Sequence, residues 1–235
     1  MLNRTTAGIL SWLITLAMPF FLGFAVLTYL VGPFYPTYEY GKADFPPDAY
    51  GFSQEERLDL AMVAVNYLES WQAPEEVIYM LEEQVIPGTN EPLYLESEVG
   101  HMLDVKVLTD WLRIIAWISG IIVIGGLALL LASPKTRPIA YVSLRGGGYF
   151  TTGVLIVIAL FILLAWSTFF VQFHELLFPP GTWTFSYQDS LIRLFPERFW
   201  FDFGVLASGS VLLMGILVAI VGYFLARRYP VEPLA

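Results

Sequence analysis

No cysteine occurs anywhere in the 235 residues, and histidine occurs only twice, at His101 and His174. The first absence removes a thiol nucleophile, a disulfide framework and every cysteine-based metal site. Charge is sparse as well. Charged residues make up 14% of the chain against 57% hydrophobic, and mean hydropathy is +0.64, too apolar for an ordinary soluble domain. Acidic residues are missing from four long apolar stretches, approximately 9–31, 111–132, 151–173 and 203–226, and Arg113 is the one basic residue within them. Each stretch reaches the roughly 20 helical residues needed to cross a bilayer core, and Arg113 lies close enough to its helix end to snorkel. The composition therefore predicts an all-α membrane protein with four transmembrane helices, forming one integral membrane domain.

The charges are unequally shared. Arg4, Lys135, Arg137, Arg145, Arg227 and Arg228 flank one side with a single acid, Glu232. Lys42, Arg57, Lys106, Arg113, Arg193 and Arg198 share the other side with the remaining 20 acidic residues. The positive-inside rule puts the 133–150 loop and both termini in the cytoplasm. A mostly helical cap, 33–110, and the loop 174–202 then face outward as an acidic layer. The first apolar stretch follows Arg4 but is too long for a signal-peptide core, and no A-x-A-like site precedes Tyr29, so it reads as an uncleaved anchor.

Within the cap, Ser53-Gln54-Glu55-Glu56 matches a capping box, and Leu58, Ala61, Met62, Val65 and Leu68 recur at helical spacing, predicting a helix over 54–71. Pro74 with Glu75 and Glu76 opens a second, to Val85. A third begins near Ser97 and runs unbroken into the second span. Gly146-Gly147-Gly148 has no following lysine to make a phosphate cradle and reads as a flexible link.

Chemistry concentrates on the two histidines. His101 lies ten residues before Trp111, where the second span begins, and His174 directly follows the third span. Alternation across a bilayer brings both to one face. His101 is a candidate general base oriented by Asp104, one helical turn away, or a surface residue at an acidic helix end. His174 is a second acid–base group or a cation favoured by the helix dipole. Arg193, with apolar flanks, is a candidate partner for an oxyanion or carboxylate, whereas Arg198 reads as an interfacial side chain. His101, Asp104, His174 and Glu175 also offer nitrogen and oxygen ligands for zinc, although no H-E-x-x-H or comparable close pair is present. No G-x-S-x-G elbow supports a serine hydrolase. A metal-dependent membrane hydrolase and a non-catalytic partner protein are the alternatives to an acid–base enzyme.

The combination of four spans, a long first outer loop ending in His101-Met102-x-Asp104-Val105-Lys106, His174 after the third span, and Leu194-Phe195-Pro196-Glu197-x-Phe199-Trp200-x-Asp202 resembles the lipoprotein intramolecular transacylases. The resemblance covers most of the chain after Gly51. It implies catalysis by His101 and His174; on the reading of the residues Asp104, Glu175 and Arg193 are the orienting or supporting groups, and no metal or cofactor is expected. It further implies movement of the sn-2 acyl chain of a diacylglyceryl-cysteine onto that cysteine's own α-amino group. The partners implied are a diacylated bacterial lipoprotein and membrane lipid, not nucleic acid, at the extracytoplasmic face of the cell membrane.

Overall fold

The computed structural model describes residues 2–230 and contains no β-strand among them; Glu232 lies outside the described residues. In chain order the helices are α1 (Arg4–Val31), α2 (Phe34–Tyr40), α3 (Gln54–Glu69), α4 (Pro74–Val77), α5 (Tyr79–Glu82) and α6 (Glu96–Gly120). A π-helical turn, Ile121–Gly125, joins α6 to α7 (Gly126–Leu131), followed by α8 (Arg137–Leu164), α9 (Trp166–Leu177), α10 (Ser190–Leu194) and α11 (Glu197–Arg228). Among the described residues four helical stretches are long and apolar enough to cross a membrane: Arg4–Val31, Glu96–Leu131, Arg137–Leu164 and Glu197–Arg228.

The third of these differs from the 151–173 stretch expected. Helix α8 begins at Arg137, with Pro138 in its first turn where a missing N–H costs nothing, and ends at Leu164. Its 28 residues span about 42 Å, enough for a bilayer core without the residues that follow. Ala165 then leaves helical geometry (φ −147°, ψ 49°), and α9 is a separate helix. His174 therefore sits in the last turn of a short helix rather than at the end of a span. The helix expected from Pro74 to Val85 is likewise divided, at Ile78.

The described residues form two compact units. One comprises residues 2–27, 112–161 and 206–230, with Ile14, Met18, Leu130 and Val211 in its core. Here the glycine triplet is helical, not a flexible link. A Cβ on Gly148 would stand 2.3 Å from the Ala219 backbone nitrogen, and one on Gly222 would stand 2.3 Å from that of Arg145. Helices α8 and α11 thus meet backbone to backbone, the close approach that small residues permit.

The second unit comprises residues 28–111 and 162–205. The capping box is formed: Glu56 N–H donates to Ser53 Oγ, and Ser53 N–H donates to Glu56 Oε2 at 2.8 Å. Buried charge ties the unit together. Arg57 is 2% exposed, donates through Nε and Nη2 to the Arg193 carbonyl at 2.9 and 2.6 Å, and reaches the Pro46 carbonyl at 2.7 Å. Its guanidinium lies over the Tyr40 and Phe45 rings. Glu98, fully buried, accepts from the backbone N–H groups of Leu95 and Leu191, each at 2.7 Å. Ser190 Oγ donates to the Leu93 carbonyl, and Tyr40 donates to that of Leu194. Residues 190–195 are thereby fastened to α3 and to the start of α6.

Candidate active site

Both histidines belong to this second unit. Glu98 and the packing of Met102 hold the first turns of α6, which carry His101; the last turn of α9 carries His174. Their ring centroids are 6.4 Å apart. Aromatic rings enclose the pair. His101 packs on Phe178 at 4.9 Å and Phe185 at 5.4 Å, while His174 packs on Phe170 at 4.1 Å and Trp183 at 5.0 Å. Phe178 also contacts His174, at 5.5 Å, so one ring touches both imidazoles.

Hydrogen bonding distinguishes the two. His174 Nδ1 is 2.7 Å from the Phe170 carbonyl oxygen. A carbonyl only accepts, so Nδ1 carries the hydrogen, and the neutral ring keeps its lone pair at Nε2. Burial lowers the His174 imidazole below the ordinary 6.5, opposed in part by this bond to Phe170. His101 is itself buried, and its Nδ1 has no hydrogen-bond partner. A buried acceptor without a partner is tolerated better than a buried N–H without one, which favours the tautomer with hydrogen on Nε2.

The supporting residues expected from sequence are placed elsewhere. Asp104 neighbours His101 on the helix but makes no bond to it, since His101 Nδ1 is unpartnered and Asp104 remains half-exposed. The imidazole turns into a phenyl-lined pocket, where a carboxylate would be costly to bury. Glu175 is exposed and, among the described residues, shows no hydrogen bond or ion pair to either histidine. Arg193 is committed to Asp48, with Nη2 2.9 Å and Nε 3.2 Å from its carboxylate oxygens, and its guanidinium stacks 3.5 Å from the Phe52 ring centre. Burial alone would raise the Asp48 carboxyl, but the Arg193 bonds and the Phe52 amide carry it below the usual carboxylate range. Arg198 pairs with Asp202 and Asp44 at the exposed surface. Among the described residues no three His, Asp or Glu side chains converge as a metal-binding group.

Sequence reasoning missed the aromatic enclosure. Interfacial Trp and Tyr density explains aromatic residues in loop 174–202 without assigning any to a site. One local signal was legible: Pro179-Pro180-Gly181-Thr182. Gly181 adopts φ +85°, and Thr182 N–H donates to the Pro179 carbonyl at 3.3 Å, matching a type II turn with Pro second and Gly third. That turn reverses the chain after Phe178 and precedes Trp183, which packs on His174.

A family model, lipoprotein intramolecular transacylase Lit, matches residues 9–200. An uncharacterized protein of Aquifex aeolicus is 29% identical over 185 residues, covering 79% of this chain and 80% of that protein. The solved structure of the membrane-integral lipoprotein intramolecular transacylase Lit from Bacillus cereus has TM-score 0.73 and 22% identity, covering 97% of both chains. Two structures of that protein in which one histidine is replaced, by Arg or by Ala, each match with TM-score 0.62 and 22% identity over 96% of this chain and 92% or 94% of theirs. These likenesses establish the membrane fold.

Proposed function

Because the chain belongs to the lipoprotein intramolecular transacylase family, we propose that it moves the sn-2 acyl chain of a diacylglyceryl-cysteine to the α-amino nitrogen of the same cysteine. The product is an N-acyl lyso-lipoprotein. The observation that supports this reading most is the pair of imidazoles 6.4 Å apart, with opposite hydrogen-bonding capacity, inside an aromatic enclosure.

The step balances as follows. The neutral amine attacks the ester carbonyl, forming the C–N bond and an oxyanion. His174 Nε2, the available lone pair, accepts the proton from the attacking nitrogen. Collapse of the oxyanion breaks the bond to the glycerol oxygen, and His101 Nε2–H supplies the proton that oxygen takes up. Return of a proton from His174 to His101 restores both rings, so no net proton is consumed. Substrate supplies both nucleophile and ester. Holding them together in one molecule contributes through proximity rather than through an acyl-enzyme.

The charge bias supports an extracytoplasmic site with both termini cytoplasmic. Lipid chains then stay in the bilayer while the ester and amine meet the histidines at headgroup depth.

The test is co-expression with a diacylated lipoprotein and fragment-ion mass spectrometry of its N-terminal lipopeptide. Unchanged total mass with one acyl chain on nitrogen is expected. His101→Asn and His174→Asn should each lower that product at least ~10²-fold while the protein remains folded in detergent. Retained activity in both variants refutes the acid–base assignment.

A further inference from the structure

We infer that the indole N–H of Trp183 is the donor that stabilises the oxyanion, an assignment that rests on the transacylase reading above. Trp183 Nε1 is buried and has no hydrogen-bond partner, while its ring packs on the imidazole of His174 with centroids 5.0 Å apart. Native interiors rarely leave a buried N–H unpaired, and one beside a reacting group commonly serves a ligand or intermediate. The tetrahedral intermediate presents the matching acceptor. Its oxyanion forms beside the nitrogen whose proton His174 removes, so a donor against His174 stands on the same side of the reaction as the base.

Several other donors in the unit are already engaged, although the buried Tyr67 and Tyr94 hydroxyls are not. Arg193, the cation expected from sequence, holds Asp48. Backbone N–H groups of Phe178, Thr182, Ser186 and Asp189, in the loop carrying Trp183, are each bonded within that loop or to α9. An indole also suits the surroundings. It donates without being charged, so it can lie against His174 without the desolvation an arginine would require. The Pro179–Thr182 turn, locked further by Thr182 Oγ1 donating to the Pro179 carbonyl at 2.9 Å, fixes the chain just ahead of it. A donor held in place before reaction needs no reorganisation when charge develops.

No bond of Trp183 is made or broken. Its N–H bond to the carbonyl oxygen shortens as that oxygen becomes an anion and relaxes when the C–O bond to glycerol breaks.

The experiment compares steady-state O-to-N transfer on a synthetic diacylated lipopeptide in detergent by the wild type, by Trp183→Phe and by enzyme carrying β-(3-benzothienyl)alanine at 183. The last keeps the bicyclic shape and replaces N–H by sulfur, which removes the donor without emptying the pocket. Both substitutions are expected to lower kcat by roughly 10²-fold, with KM changed by less than about twofold. Tryptophan introduced at 183 by the same incorporation method restores kcat. Wild-type kcat in the benzothienyl enzyme overturns the inference, as does a loss confined to KM. If the wild type itself yields no N-acylated peptide, the transacylase reading falls, and this inference falls with it; an active wild type with an unaffected benzothienyl enzyme removes the inference alone.

Discussion

A histidine that acts as a base near neutral pH must be unprotonated there and must hold its lone pair toward the substrate. For the proposed base, His174, burial disfavours the charged form, and the Phe170 carbonyl occupies Nδ1 so that the lone pair stays at Nε2. The acid limb of the reaction follows. The substrate amine, with pKa about 8, must be neutral to attack, so kcat/KM falls with unit slope as pH drops below that value. His174 adds a second loss only when it protonates, and its lowered pKa puts that event below the ordinary 6.5. A pH profile should therefore steepen to a slope of two only beneath pH 6.5. Steepening at or above neutrality would contradict a depressed His174. The linkage to stability has the same direction: the neutral buried ring favours the fold above the unfolded-state pKa, and that contribution declines as pH falls through it.

At the scale of elements, the site depends on segments that carry no catalytic group. Arg57, on α3, satisfies two backbone carbonyls of distant segments, Arg193 and Pro46, while its charge rests on aromatic faces. Replacing it with Met leaves both part-buried carbonyls without this donor, and Arg57→Met should lower stability by about 2–4 kcal/mol. Thermal unfolding in detergent measures this; an unchanged transition would mean the segments are held by other contacts. Such a residue is hard to find by sequence reading. Arg57 follows a capping box on an amphipathic pattern, where a charged side chain ordinarily faces solvent, and only tertiary contact with 190–195 reveals it as core. Ser53 and Glu56 were legible because capping is a local agreement within four residues. Gly146-Gly147-Gly148 was misread because glycine signals a loop in water, whereas in a membrane helix it signals contact. The same misreading displaced the start of α8 and made α9 part of a span.

For the whole molecule, the four apolar helices and the charge bias were readable from composition because bilayer thickness dictates helix length directly. The two histidines were readable as a pair because alternating spans bring both chain positions to one face, and in the structure both lie in one unit. Their aromatic enclosure depends on a turn and on loop packing, which no periodicity encodes. The proposed orientation is open to a simple check, since the cysteine-free chain needs no background removal. A cysteine at Tyr187, which is 78% exposed, should react with a membrane-impermeant maleimide applied from outside, and one at Lys135 only after permeabilisation. The reverse pattern would turn the site to the cytoplasm.

The central claim is that acyl donor and acceptor are one molecule, moved through its own cyclic transition state by the His101–His174 pair. A crossover experiment addresses it most directly. An equimolar mixture of unlabelled diacylated lipopeptide and one labelled in both acyl chains and peptide is converted by the purified protein, and the N-acyl products are weighed. The account predicts that heavy acyl chains appear only on heavy peptide. Heavy acyl on light peptide would show transfer between molecules, and would contradict it.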